Sequence, residues 1–189
     1  MKVLIIPEDP ALDSHVLKPV VERIFAELGR VARVDVLTDP HLRGVAQALD
    51  ADTVRQIVED NRMVDLFLLM VDRDCDRDGN VAKAAGRVSA HAGKLLACLA
   101  EQEVEVWPLA LHRDDVGAPW REVHAHCDPK EAYWDPFVAK KRWLGEVGKG
   151  RKRAMRELGA GWSGLLKLCP EIARLQDDIG AWLSGVGAG

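Results

Sequence analysis

Met63–Asn80, MVDLFLLMVDRDCDRDGN, decides how the chain is read. The unbroken apolar run Leu66–Val71 is too short for an ordinary helix and ends in aspartates at alternate positions, Asp72, Asp74, Asp76 and Asp78. Such a run predicts a strand buried on both faces, as in a parallel sheet under helices. Carboxylates crowded at its end repel one another unless protons, arginines or a cation offset the repulsion. Arg73 and Arg77 are the only local basic groups, and a hard divalent cation with oxygen ligands is the economical solution.

Upstream, Val3–Ile6 predicts a first strand, stopped by Pro7-Glu8-Asp9-Pro10, so that Glu8 also follows a strand end. An amphipathic helix is expected over Leu12–Leu28, a second strand over Val31–Leu37, and short helices over His41–Leu49 and Thr53–Asn61, the latter capped by Asp52 or Thr53. Downstream, the alanine-rich Val81–Glu101 predicts one helix, with Asp78 as its N-cap, and Val104–Leu111 a fourth strand at an edge or bulge because of Pro108. This alternation predicts an α/β fold: a mainly parallel sheet of about four strands with helices on both faces. Ligands of such sheets gather beyond the carboxyl ends of the strands, and Glu8, Asp72 and Asp74 converge there if their strands are neighbours. An extended backbone would turn Asp72 and Asp74 to the same side.

The remainder has a different character. All six tryptophans lie after residue 106, and the net charge of −4 divides into +7 over Lys140–Arg156 and −11 elsewhere. The basic residues are Lys140, Lys141, Arg142, Lys149, Arg151, Lys152, Arg153 and Arg156, against Glu146. They suit a phosphate-tracking surface, with Trp134, Trp143 and Trp162 as stacking faces or, more plainly, as anchors of the segment to the core. Val123–His126 is read as a short strand, Asp135-Pro136 as a helix start and Pro170 as the opening of a last amphipathic helix. The organisation expected is an α/β domain over residues 1–112, a basic, tryptophan-rich, mostly helical extension over 113–184 and a loose tail over 185–189.

Competing site readings are weaker. Asp74-x-Asp76-x-Asp78-Gly79 opens like a calcium loop, but Ala85 stands where a bidentate glutamate is needed. His124-x-His126-Cys127 lacks a fourth zinc ligand. His112 follows the predicted fourth strand and either borders the acidic site or lies at the surface. Cys75, Cys98, Cys127 and Cys169 have no C-x-x-C spacing, which predicts reduced thiols. Neither a membrane-spanning run nor a signal-peptide pattern is evident, so a cytoplasmic protein without membrane contact is expected.

Glu8 after one strand and Asp72-Arg73-Asp74 after a later one resemble the Toprim domain of topoisomerases, primases and nucleases of the OLD family. The resemblance covers residues 1–112. The rest is similar to the extension of small bacterial Toprim-like proteins often encoded beside ATPases, through Asp128-Pro129-Lys130, Gly148–Arg156 and Leu168-Cys169-Pro170-Glu171-Ile172. It implies Glu8, Asp72, Asp74 and Asp76 as ligands of Mg²⁺ or Mn²⁺, Lys149 or Lys152 as the catalytic lysine, and phosphodiester cleavage or transfer on nucleic acid, DNA foremost, in a bacterial defence or repair module. An ATPase subunit and a second copy of the chain are the expected protein partners. Where many members carry glycine after the glutamate, this chain has Asp9-Pro10. A non-catalytic regulatory partner and a D-x-D phosphatase are the alternatives.

Overall fold

The computed structural model describes residues 1–75 and 77–186, and of residues 77, 78 and 186 the backbone alone. The central strand forms as expected: β3, Leu66–Asp72, with Leu66–Met70 at most 1% exposed. Its side chains alternate between two cores. Leu66, Leu68 and Met70 enter one and Phe67, Leu69 and Val71 the other, which is why the run has no polar alternation.

β1 (Lys2–Ile6) lies beside β3, pairing Val3 with Leu66 and Ile6 with Leu69. β2 (Arg33–Val36) flanks β1 and β4 (Leu95–Ala100) flanks β3, giving an all-parallel sheet of order β2-β1-β3-β4. Parallel neighbours need crossovers, and these are α1 (Ser14–Glu27), α2 (Val45–Ala48) with α3 (Ala51–Asp60), and α4 (Arg77–Ala90). α2, α3 and α4 cover the Phe67 face and α1 the Leu68 face. The cap of α3 is Asp50, whose carboxylate accepts from the Thr53 N–H at 2.8 Å, two or three residues earlier than the sequence suggests.

Three expected elements are corrected. The Val81–Glu101 helix ends at Ala90; a turn with Gly93 at φ +80° follows, and Leu95–Ala100 is a buried strand. Val104–Leu111 is not a strand. It holds α5, Val106–Leu111, with Pro108 in the first turn, where a missing N–H costs nothing. Val123–His126 falls at the end of α7, Trp120–Ala125, after the short α6, Arg113–Val116.

Beyond these come a π-helical turn over Lys130–Trp134, then α8 (Asp135–Lys140), α9 (Arg151–Ala154), a 3-10 turn over Met155–Glu157, α10 (Leu158–Leu168) and α11 (Pro170–Val186). Asp135 and Pro170 start helices as anticipated. Leu165, Ile172, Leu175 and Ile179 are at most 1% exposed and share one core with the sheet, each contributing about 1.5–3 kcal/mol by burial. Trp134, Phe137 and Val138 form a satellite core with Leu109 and Ala154. Trp134 and Trp162 are thus buried anchors, whereas Trp143 is half-buried.

The thiols also depart from expectation. Cys75 and Cys127 form a disulfide across 52 residues, while Cys98 and Cys169 are free and buried. Chain separation hides a bond that only tertiary proximity creates. Among the described residues no helix is long and apolar enough to cross a membrane.

Candidate functional site

Because β1 and β3 are neighbours, the segments leaving their carboxyl ends emerge side by side, at the point where strand order reverses. Glu8 follows β1, Asp72 ends β3, and Asp74 comes two residues later. Asp74 leaves the extended region, with φ +51°, so the D-x-D pair is not the simple same-face strand pair that spacing suggests. Its N–H donates to the carbonyl of Gln102, itself at φ +67°, at 3.0 Å. Two non-glycine residues in the left-handed region, bonded to each other beside crowded acids, are backbone strain held in place by the sheet ends.

The acids act on each other electrostatically. Burial, and then the Asp74 charge, push the Glu8 carboxyl up to about 7, against a weaker backbone hydrogen bond from Asp72. Glu8 is half-buried, and its Oε2 is enclosed with no hydrogen-bond partner among the described residues. Burial raises Asp72 well above the usual carboxylate range, reinforced by Glu8, Glu105 and Asp13, although Oδ1 accepts from the Val104 N–H at 2.8 Å.

Two further acids were not legible as site residues. Asp13, 7% exposed just before α1, accepts from the Asp9 N–H at 3.0 Å and is raised to about 7, first by burial and then by Glu105. Glu105, 3% exposed, is bound by the Arg151 guanidinium, which also donates to the Gly148 carbonyl at 3.2 Å and sits 5.7 Å from the Trp134 ring centroid. The signal for Asp13 was its place five residues after Glu8, directly before a helix start. Nothing local marks Glu105 and Arg151 as partners.

The other candidates scatter. Arg151, expected on a basic surface, is 2% exposed. Lys149 and Lys152 are exposed; burial first, then the charges of Lys152 and Arg151, depress the titration of His15 at the start of α1. Lys141 pairs with Asp115 at 2.7 Å, and Lys140 reaches the Asp115 carbonyl at 3.3 Å. Arg142, Arg153 and Arg156 are exposed. Asp76 lies outside the described residues, as does the side chain of Asp78 and hence its capping role. His112 bonds the Ala154 carbonyl through Nε2 at 3.1 Å rather than joining the acids. The pairing of Cys127 with Cys75 removes the thiol from the His124/His126 zinc reading.

The donors fit a hard cation in kind: all are oxygens, they raise one another's proton affinity, and Glu8 Oε2 has no hydrogen-bond partner among the described residues. Among the described residues no three histidine, cysteine or acidic side chains are grouped so as to hold a metal ion. Mg²⁺ does not demand one, since it commonly keeps several waters and takes one or two carboxylates plus substrate phosphate. Comparisons with protein-family models, curated proteins and solved structures return no match.

Proposed function

We propose that the chain is a Toprim-like, Mg²⁺- or Mn²⁺-dependent nuclease or related phosphoryl-transfer protein acting on nucleic acid, in the manner of small OLD-like proteins of bacterial defence or repair. The observation that carries this reading is the buried, unpartnered Glu8 Oε2 beside Asp72 and Asp74 at the ends of adjacent parallel strands. Glu8, Asp72 and Asp74 would hold the ion, which supplies Lewis-acid polarisation of a phosphoryl oxygen and a water of lowered pKa. The chain's own contribution is a desolvated carboxylate cluster whose charge is incomplete without a proton or a cation. Lys149 or Lys152, both exposed, would offset charge developing on phosphate. A cytoplasmic setting, DNA as substrate and an ATPase partner belong to the same reading.

The test is incubation of the protein with single-stranded and duplex DNA and RNA in Mn²⁺, beside Asp72→Asn. Cleavage by the wild type and at least a 100-fold loss in the variant are expected; equal rates overturn the reading. A second reading, a non-catalytic partner protein on the same fold, is favoured by the missing three-donor group among the described residues. It predicts neither cleavage nor a thermal response to divalent ions. Turnover of a simple phosphate ester without nucleic-acid cleavage would instead support a phosphatase.

A further inference from the structure

A polar cavity of ≈ 490 Å³ opens at the carboxyl end of α5, and none of Glu8, Asp72 or Asp74 lines it. Its size suits a single small ligand and is far too small for a duplex. Three cations face it, Lys141, Arg153 and Arg156, but their states differ. Lys141 is committed to Asp115, at 2.7 Å. Arg153 and Arg156, three residues apart across α9 and the turn after it, have no acidic partner within 4.0 Å among the described residues, so two guanidinium forks are available to an anion.

The aromatic wall is Trp143, half-buried and fixed 5.5 Å from the rings of both His112 and Phe137. A ring held this way loses little freedom when a planar ligand settles on it, and indole faces accept any base. Two acids of the lining, Asp114 and Glu157, are acceptors for N–H groups. Phosphate-binding forks, a stacking ring and acceptors in one cavity match the parts of a nucleotide.

The cavity lies at the opposite end of α5 from Glu105. α5 and α9 lie side by side, joined near the acids by Glu105 with Arg151 and near the cavity by His112 with the Ala154 carbonyl. Seven residues of helical rise, about 10 Å, separate the two ends.

We infer that this cavity is a nucleotide subsite, taking one base and its phosphate from a single-stranded nucleic acid, with Arg153 and Arg156 on the phosphate and Trp143 against the base. The inference rests on the nucleic-acid reading above but not on the chemistry of the acids, and it can be tested without cleavage.

The full chain is titrated calorimetrically in EDTA with dTMP, dAMP and inorganic phosphate, while its indole N–H signals are followed by NMR. Both nucleotides should bind at least 5-fold more tightly than phosphate, and the indole signal missing from Trp143→Phe should be the one that moves. R153A with R156A should weaken nucleotide binding at least 10-fold, R153K with R156K by less, and the exposure of both arginines leaves the fold intact by signal dispersion. Asp72→Asn should bind nucleotides as the wild type does, even where it has lost cleavage. Absence of nucleotide binding by the wild type, unchanged affinity in the double variants, or nucleotides no tighter than phosphate would each overturn the subsite; absence of cleavage with these affinities intact would overturn only the enzymatic reading.

Discussion

The Arg151 guanidinium closes on the Glu105 carboxylate inside the protein, with side chains only 2% and 4% exposed, so the segment richest in basic residues is tied to the core at the edge of the acid cluster. Glu105 is one of the charges that raise Glu8, Asp13 and Asp72, and Arg151 is the cation held against it. Breaking a buried pair by removing one partner leaves an uncompensated charge, costing about 3–5 kcal/mol, whereas replacing both by apolar groups is often neutral. Arg151→Met should therefore unfold at markedly lower denaturant, and Glu105→Leu with Arg151→Met should recover most of the loss. Urea unfolding checks this; equal stability of the single variant and the wild type would refute the charge argument.

A second prediction concerns pH. Folded Glu8 and Asp13 titrate near 7, against ordinary values of 4.5 and 3.8. Between those limits the folded chain binds more protons than the unfolded one, so stability is highest below about pH 3.8 as far as these groups go and falls as pH rises toward 7. Each unit of upward shift corresponds to about 1.4 kcal/mol. Without divalent ions the melting temperature should decline from pH 5 to pH 8, and millimolar Mg²⁺ or Mn²⁺ should restore it at pH 8 by binding only the folded state. Glu8→Gln should make the decline shallower, leaving the part due to Asp13, and abolish the ionic rescue. A melting temperature that stays level across this range, measured by calorimetry, would contradict the burial of these carboxyls.

The layers of the fold were legible because buried parallel strands announce themselves: Leu66–Val71 has the length and apolarity of nothing else. The same signal at Leu95–Ala100 was masked by the helix-forming alanines before it, although Gly93 interrupts the helical pattern there. Glu8 and Asp72 were legible because strand-end acids follow from strand placement, and β1 lies beside β3. Asp13, Glu105 and Arg151 were not, since their roles arise from burial and from pairing across 46 residues. Arg151 also shows why a charge run misleads: composition cannot tell which member of a basic segment turns inward.

The Cys75–Cys127 bond carries the third prediction, because it fastens the loop bearing Asp74 to the segment after α7. Cross-linking residues 52 apart removes freedom from the unfolded chain worth about 4 kcal/mol in the loop-entropy treatment. For a chain of this size about 1 kcal/mol moves the melting temperature by roughly 2–4 °C. Dithiothreitol should therefore lower the melting temperature of the wild type by several degrees and leave that of Cys127→Ser unchanged. Cys98 and Cys169, free and buried, should resist alkylation in the folded protein either way, their thiols raised by burial. Alkylation before and after reduction, followed by peptide mass mapping, counts the paired thiols directly. If Cys75 and Cys127 label as freely in the oxidised protein as after reduction, no bond holds the Asp74 loop. The loop must then be placed by other contacts, among them the hydrogen bonds to the Ala100 and Gln102 carbonyls and the Arg73–Glu101 pair.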